Sequence, residues 1–162
     1  MDTDLHQLFR EAMSVLASGV AVVTARRVDG RLCGLAATSL ISYSAHPPSF
    51  LVSIWHGARC HAALEQSERF GVHLLRSDEL HLARRFADSS LEDKFEDLDW
   101  SWDGDVPELG GTLAYLPLRR AENFVLYDHT VLVGDVVGGR LEKGEPLVYA
   151  RRRIDWLMRP MQ

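Results

Sequence analysis

Residues 20–42 read VAVVTARRVDGRLCGLAATSLIS, and this stretch decides the fold. The segment 20–28 is rich in β-branched residues, which predicts a strand. Asp29-Gly30 follows at once, and an Asp-Gly pair between two apolar runs is a strong signal for a two-residue hairpin turn. The segment 32–42 then predicts the return strand. The sheet of this protein is therefore expected to begin with an antiparallel pair.

The rest of the chain continues mainly as strands joined by short turns. Further strands are predicted over 50–55, 70–75, 112–118, 123–137 and 147–149. Apolar residues at helical spacing predict helices over 5–16, 59–66 and 77–86, and residues 88–111 are predicted to be an acidic loop. No repeat or Gly/Ser linker divides the chain, so residues 1–162 are expected to form one domain. This pattern favours a mainly β fold with peripheral helices, an antiparallel barrel rather than a doubly wound α/β fold.

The composition excludes several classes of protein. Apolar residues make up 46% of the chain and charged residues 25%, as in ordinary globular proteins. The net charge of −5 has the wrong sign for binding nucleic acid. No apolar run reaches the roughly 18 residues of a membrane span, and the acidic start at Met1–Asp4 differs from a secretory signal. We therefore expect a cytoplasmic protein that binds neither nucleic acid nor membrane, with Cys33 and Cys60 as free thiols.

The common motifs of nucleotide and metal chemistry are missing from the sequence. Neither the glycine fingerprint of dinucleotide-binding folds nor a phosphate-binding P-loop is present. The segment from His56 to His61 contains two imidazoles and a thiol, but it lacks the further ligands that a metal centre requires. We therefore predict no metal site.

The segment 34–39, GLAATS, is small and rich in hydroxyls where a core strand is usually bulky. Such a strand allows close approach of a flat ring, with backbone N–H groups and hydroxyls directed at the polar edge of that ring. A tight contact between two packed sheets is the alternative explanation.

A series of short segments, taken in order, resembles the flavin reductase-like family of flavin-binding split barrels. The segments are Gly19–Thr24, Cys33–Ser39, Ser42–Pro48, Ala62–Leu64, Ser67–Phe70, Val72–Leu75, Leu82–Phe86, Lys94–Phe95, Asp128–Val136 and Pro146–Tyr149. The resemblance extends from about residue 9 to residue 149. It implies an antiparallel split β-barrel of the flavin-binding type. Members of this family are small reductase partners of two-component flavin-dependent monooxygenases.

The resemblance also implies a set of site residues. The small strand would lie along the isoalloxazine ring, Arg59 and Lys94 near the flavin phosphate, and His129 beside the flavin and the nicotinamide. His129 is therefore the predicted catalytic residue. The predicted cofactor-binding residues are Ala37, Thr38, Ser39, Ser42, Ser53, Trp55, Arg59, Cys60, Lys94 and Phe95.

Three positions depart from the family pattern. The family usually has Asn near Trp55, Ser near Gly57, and Ser or Thr near Cys60. Polar contacts to the cofactor are thus replaced, and Trp55 is expected either to stack on a ring or to fill the gap.

The function that the resemblance implies is NAD(P)H:flavin oxidoreduction. The enzyme would reduce FMN or FAD with NADH or NADPH and supply reduced flavin to a separate monooxygenase. It would act as a homodimer, because a small split barrel leaves edge strands that need cover. The alternatives are a flavin-binding protein with little turnover and a split barrel recruited to another redox role.

Overall fold

The computed structural model describes residues 2–161, which form a mainly β domain with three helices. The helices are α1 (Asp2–Ser14), α2 (His61–Gln66) and α3 (Leu80–Ala87). The strands are β1 (Ser18–Gly19), β2 (Ala21–Arg26), β3 (Leu32–Ala37), β4 (Leu40–Ala45), β5 (Pro48–Trp55), β6 (Arg69–Leu74), β7 (Trp100–Asp103), β8 (Val106–Leu109), β9 (Ala114–Leu126), β10 (His129–Val136), β11 (Arg140–Leu141), β12 (Val148–Ala150) and β13 (Arg153–Trp156).

The main sheet is antiparallel and has the order β3-β2-β6-β9-β10-β5-β4, with β11 added to β9. Strands β3 and β4 form opposite ends of this order, yet only Thr38 and Ser39 join them. Two residues span no more than about 7–10 Å, so the two ends of the sheet must approach each other. The sheet therefore curls into a barrel that stays open between β3 and β4, which confirms the predicted split barrel.

The predicted hairpin around Asp29-Gly30 is confirmed, but its loop spans the three residues 28–30 rather than two, because the N–H of Arg27 donates to the carbonyl of Arg31. The single return strand over 32–42 is wrong. Strand β2 pairs with β3, and Gly30 adopts a φ of +83° in the turn. The return strand ends at Ala37, which pairs with Ala21, and Leu40 pairs with Val52 at the other end of the sheet. Alternation of side chains does not reveal a change of partner strand, so the run 32–42 predicts one strand where the structure has two.

Two other boundaries also differ from the predictions. Residues 123–126 belong to the long strand β9, and Tyr127 and Asp128 form a tight turn before β10 begins at His129. Tyr-Asp is not a preferred hairpin pair, so the turn was not recognised. The predicted loop over 88–111 contains the hairpin of β7 and β8, whose turn includes Gly104 at a φ of +64°.

The helices lie close to their predicted positions. Helix α1 ends at Ser14 rather than residue 16, and α3 runs from Leu80 to Ala87 rather than over 77–86. Helix α2 begins at His61, so Arg59 precedes the helix instead of opening it.

The core lies on both faces of β2. Val23 packs inside the barrel with residues such as Val52 and Leu118. Val22 packs outside it, in a cluster that includes Phe86 of α3 and Leu109 of β8. Strand β2 is thus buried on both faces, as its continuous apolar run requires.

A fully buried histidine, His73, connects the sheet to the β7–β8 hairpin. Its Nδ1–H donates to the carbonyl of Val22 at 3.2 Å, while Nε2 accepts the N–H of Leu109 at 3.0 Å. The ring stacks on Tyr115 with centroids 4.8 Å apart. Burial lowers the pKa of His73 from 6.5 to about 3, so the ring is neutral in the folded protein.

This histidine predicts a loss of stability in mild acid. The unfolded chain binds a proton near pH 6.5, whereas the folded chain does so only near pH 3. The contribution of the neutral His73 to stability is therefore fully present above pH 6.5. As the pH drops below this value, the free energy of unfolding decreases, by about 2 kcal/mol near pH 5. Urea unfolding at about pH 7.5 and about pH 5 measures the change. The free energy of unfolding of His73→Gln should depend less on pH than that of the wild type. His81→Gln, which changes an exposed histidine, is the control. An equal pH dependence in His73→Gln and wild type would contradict the assignment.

Gly34 is required by the packing of α3 against β3. A Cβ at this position would lie 2.5 Å from Cε1 of Phe86 and 3.3 Å from Cζ of Phe95. Both rings are buried. The small size of Gly34 therefore makes room for these aromatic rings.

Gly34→Ala is expected to destabilise the fold by about 1–3 kcal/mol, because the Phe86 ring is enclosed and cannot move away. In a thermal melt this corresponds to a decrease in Tm of roughly 2–4 °C per kcal/mol. Gly19→Ala is the matched control, since a Cβ there meets nothing within 4 Å. If both variants melt at the wild-type temperature, the packing of Phe86 on Gly34 is not tight.

Candidate functional site

A cavity of about 470 Å³ opens beside the split in the barrel. Its walls come from β3, the end of β5, the turn before α2, the end of α3 and the loop that follows α3. The volume lies in the range typical of sites for small organic ligands and cofactors. The fold therefore places one large concave site where the two ends of the main sheet meet.

The structure brings all but one of the predicted site residues to this cavity. The lining includes Ala37, Thr38, Ser39, Ser53, Trp55, Arg59, Cys60, Lys94, Phe95 and His129. Ser42 is the exception: it is exposed on β4, pairs with Phe50, and is not part of the lining.

The small wall of the cavity is the chain segment that crosses between β3 and β4. The Ser39 hydroxyl donates to the carbonyl of Ser53 at 2.8 Å, and the Ser53 N–H donates to the carbonyl of Ser39 at 3.3 Å. These two bonds hold the crossing against β5. Ser39 therefore shapes the wall through its contacts with the backbone, while the exposed Thr38 is the neighbouring residue whose hydroxyl can face a ligand.

Cations outnumber anions around the cavity. Arg27, Arg59 and Lys94 line it together with a single carboxylate, that of Glu92. The Nε of Arg27 is buried and has no hydrogen-bond partner within residues 2–161. A buried, unpartnered guanidinium nitrogen is costly unless a ligand completes it. The cavity thus suits an anionic group such as a phosphate.

Two of these cations also hold the loop after α3. The Lys94 Nζ donates to the carbonyl of Phe86 at 2.7 Å, near the C-terminus of α3, where cations are favourable. Burial lowers the pKa of Lys94 from its ordinary value. The Arg59 guanidinium donates to the carbonyl of Leu91 at 3.2 Å. Each of the two cations therefore has a structural contact in addition to its place at the cavity.

Phe95 is mainly a core residue. Its ring is buried and makes edge-to-face contacts with Phe86 and Trp100, at centroid distances of 5.2 and 6.1 Å. It forms part of the cavity floor, and its burial anchors the loop that carries Lys94.

The indole of Trp55 lies across Gly57. A Cβ at residue 57 would stand 2.5 Å from Cζ2 and Cζ3 of that indole. The position of the Trp55 indole therefore requires glycine at residue 57, because a serine there would collide with the ring. The ring remains 55% exposed at the cavity and is available for stacking.

His129 is held by its neighbour in sequence. Its Nδ1–H donates to Oδ1 of Asp128 at 2.8 Å, and this bond keeps the pKa of Asp128 below its ordinary value. The carboxylate therefore stays ionised at neutral pH and fixes the orientation of the imidazole. Because His129 pairs with Trp55 across β5 and β10, the free Nε2 edge belongs to the same end of the cavity as the indole.

Among the lining residues that sequence reasoning did not assign to the site, Arg27 and Cys33 carry chemically reactive or charged groups close to the predicted ones. Arg27 lies within the predicted strand 20–28, where nothing in the sequence marks it as a site residue. Cys33 is expected from the sequence only to be a free thiol. No spacing pattern links either residue to Cys60 or Lys94, because only the packing of β3 against the turn before α2 brings them together.

Two other kinds of site are absent from the described part of the chain. Within residues 2–161, no group of three or more His, Cys, Asp or Glu side chains is arranged to hold a metal ion. Over the same residues, no helix has the length and apolar character needed to cross a membrane.

The fold and the cavity define a split-barrel protein with an electropositive site of nucleotide size. The sequence profile described as "Flavin reductase like domain" matches residues 13–158. The chain therefore belongs to the flavin reductase-like family, and the resemblance found in the sequence is confirmed.

Particular relatives extend this finding. The chain is 36% identical over 143 residues to the FMN reductase (NADH) SmoA of Agrobacterium fabrum, covering 88% of this chain and 80% of the relative. It is 32% identical over 160 residues to the reductase component of 4-hydroxyphenylacetate 3-monooxygenase of Pseudomonas aeruginosa, covering 96% and 94%. An NADH:FAD oxidoreductase of Streptomyces globisporus, solved with NAD and FAD fragments, aligns with a TM-score of 0.85 and 28% identity, covering 94% of this chain and 92% of that one.

Gly57→Ala is expected to displace the Trp55 indole and to weaken ligand binding without lowering the melting temperature, since the ring is half exposed and free to move. Titration with FMN measures the affinity. In a Trp55→Ala background the same glycine change should have no further effect, because the colliding ring is gone. Additive losses in the double variant would show that Gly57 acts independently of Trp55.

Proposed function

We propose that this protein is a cytoplasmic NADH-dependent flavin reductase that supplies reduced flavin to a separate monooxygenase. The observation that carries the proposal is the cavity itself. It combines a small, hydroxyl-bearing wall, three cations with an unpartnered guanidinium nitrogen, and an oriented imidazole. The relatives named as NADH-dependent FMN reductase and as a monooxygenase reductase component support the same reaction.

The residues present fit a flavin. Bound there, the flavin ring would accept a hydride from the nicotinamide of NADH. Thr38 and Ser53 belong to the wall that would face the polar edge of the ring, and Arg27 and Arg59 provide cations for the phosphate. Trp55 offers an aromatic face at the mouth of the cavity. The protein holds and orients the reactants, so no side-chain acid or base is needed for the transfer.

His129 is proposed to position the nicotinamide. Because Nδ1–H is engaged by Asp128, Nε2 is the nitrogen left to accept a hydrogen bond from the N–H of a carboxamide. A carboxamide held in this way cannot rotate freely, and the ring that carries it is fixed against the flavin. This is a positioning contact of the kind that accelerates a reaction between two bound molecules.

A flavin-binding protein with little turnover is the second candidate. The specific observation in its favour is that Lys94 and Arg59 already donate to backbone carbonyls. A weakly held phosphate would favour a site that binds flavin mainly through the ring.

Consumption of NADH in the presence of added FMN or FAD tests the proposal. Oxidation of NADH that depends on both protein and flavin supports a reductase, and parallel assays with NADPH define the donor. Flavin binding without NADH oxidation would instead establish the second candidate.

The protein is further proposed to act as a homodimer. Helix α1 exposes Leu5, Leu8, Phe9 and Met13 at helical spacing, each at least 46% exposed in the single chain. A contiguous apolar face of this kind is unfavourable in water and is suited to a second copy of the chain. Sedimentation that shows a monomer at micromolar concentration with flavin still bound would contradict this.

His129→Ala is expected to slow flavin reduction by NADH roughly ten- to a hundredfold, the effect of losing one orienting hydrogen bond of about 1–3 kcal/mol. Flavin affinity should change far less. Stopped-flow reduction of bound flavin, with thermal melts on the same samples, measures both effects. A wild-type reduction rate together with a lower Tm would give His129 a purely structural role.

A further inference from the structure

The two cysteines of the chain meet in the cavity wall. Cys33 lies on β3 and Cys60 directly precedes α2, and both side chains are about 4% exposed. They belong to one packed cluster, both line the cavity, and their thiols are hydrogen-bonded to each other. The proposed cofactor role of Cys60 does not account for this pairing.

The surroundings distinguish the two sulfurs. The sulfur of Cys60 accepts hydrogen bonds from the Cys33 thiol and the Gly34 N–H, and Lys94 and Arg27 are the nearby cations. These contacts lower the pKa of Cys60, and the hydrogen bond to Cys60 raises the pKa of Cys33. Cys60 is thus the more acidic of the two thiols, and Cys33 is the one that keeps its proton more firmly. A thiol of lowered pKa beside a second cysteine that can close a disulfide is the arrangement of peroxide-sensitive cysteines.

We propose that Cys60 and Cys33 form a peroxide-reactive dithiol site in the cavity wall, in which Cys60 attacks the oxidant and Cys33 closes an intrachain disulfide. The oxidant is hydrogen peroxide. Its local source rests on the proposed function, because reduced flavin and oxygen together yield oxidised flavin and hydrogen peroxide.

The chemistry balances in two steps. The Cys60 thiolate attacks one oxygen of the peroxide, the O–O bond breaks, and hydroxide leaves and is protonated to water, so that Cys60 becomes a sulfenic acid. The Cys33 sulfur then attacks the Cys60 sulfur, the S–O bond breaks, and the Cys33 proton leaves with the second hydroxide as water. Two thiols and one hydrogen peroxide thus give one disulfide and two waters.

Treatment of the flavin-free protein with hydrogen peroxide tests the site independently of any reductase activity. The intact mass should fall by about 2 Da, the two thiol hydrogens, and both thiols should be lost to titration. Digestion should show a peptide that joins Cys33 to Cys60. The reaction should be at least about tenfold faster than oxidation of glutathione at the same peroxide concentration, because the thiolate is the reactive form. An equal rate, or bonds only between chains, would overturn the proposal.

Matched variants assign the roles. Cys33→Ser should yield a sulfenic acid on Cys60 that dimedone traps, whereas Cys60→Ser should leave Cys33 as an unlabelled thiol. Labelling of Cys33 instead would overturn the order of attack. Where a variant does not fold, early samples of wild type quenched with dimedone give the same answer, since Cys60 must carry the label first.

A final arm separates this site from the proposed function. During aerobic turnover with NADH and FMN the same disulfide should accumulate, and catalase should prevent it. If NADH is not consumed, the proposed function fails while the result with added peroxide still decides the dithiol site. If NADH is consumed but peroxide does not form the disulfide, the dithiol site fails alone.

Discussion

Two residues, Thr38 and Ser39, join strands at opposite ends of the main sheet, and the rest of the structure depends on this short connection. Because it is only two residues long, the sheet must curl until β3 and β4 are neighbours in space. The reciprocal hydrogen bonds of Ser39 and Ser53 fix that geometry. The cavity lies beside the connection, so the curling of the sheet and the formation of the cavity have the same physical cause.

The opposite wall is a loop that the chain must hold in place. Residues 88–95 contain no regular element, but Lys94 donates to the end of α3, Arg59 donates to Leu91, and Arg85 donates to the carbonyls of Lys94 and Glu96. Phe95 is buried beneath them. Cations at the cavity therefore serve both to shape the site and to make it electropositive, and a change in either function would affect the other.

Departures from the family pattern are physically coupled rather than independent. The indole of Trp55 occupies the space over residue 57, which only glycine leaves free. Cys60 lies against Cys33, and the nearby cations Lys94 and Arg27 contribute to lowering its pKa. Where the family usually has small polar side chains, this chain has an aromatic face and a thiol pair. The indole and the two thiols therefore set the local chemistry of this part of the cavity.

The sequence by itself determined the mainly β class, the first hairpin and the three helices, and its resemblance to a family indicated ten of the residues that line the cavity. These follow from local rules: β-branched runs, the Asp-Gly turn, helical spacing, and motifs whose order is set along the chain.

The tertiary structure decided the break at Thr38–Ser39, the β7–β8 hairpin, the location of Ser42 outside the cavity and the meeting of Arg27, Cys33 and Cys60. Each of these depends on which distant segment becomes a partner. The β7–β8 hairpin, for example, is held by Thr24, which donates to the carbonyl of Pro107, and by His73, which accepts from Leu109. The pattern of residues in a segment indicates which conformation that segment prefers. Which distant segment it pairs with is decided only when the whole core packs.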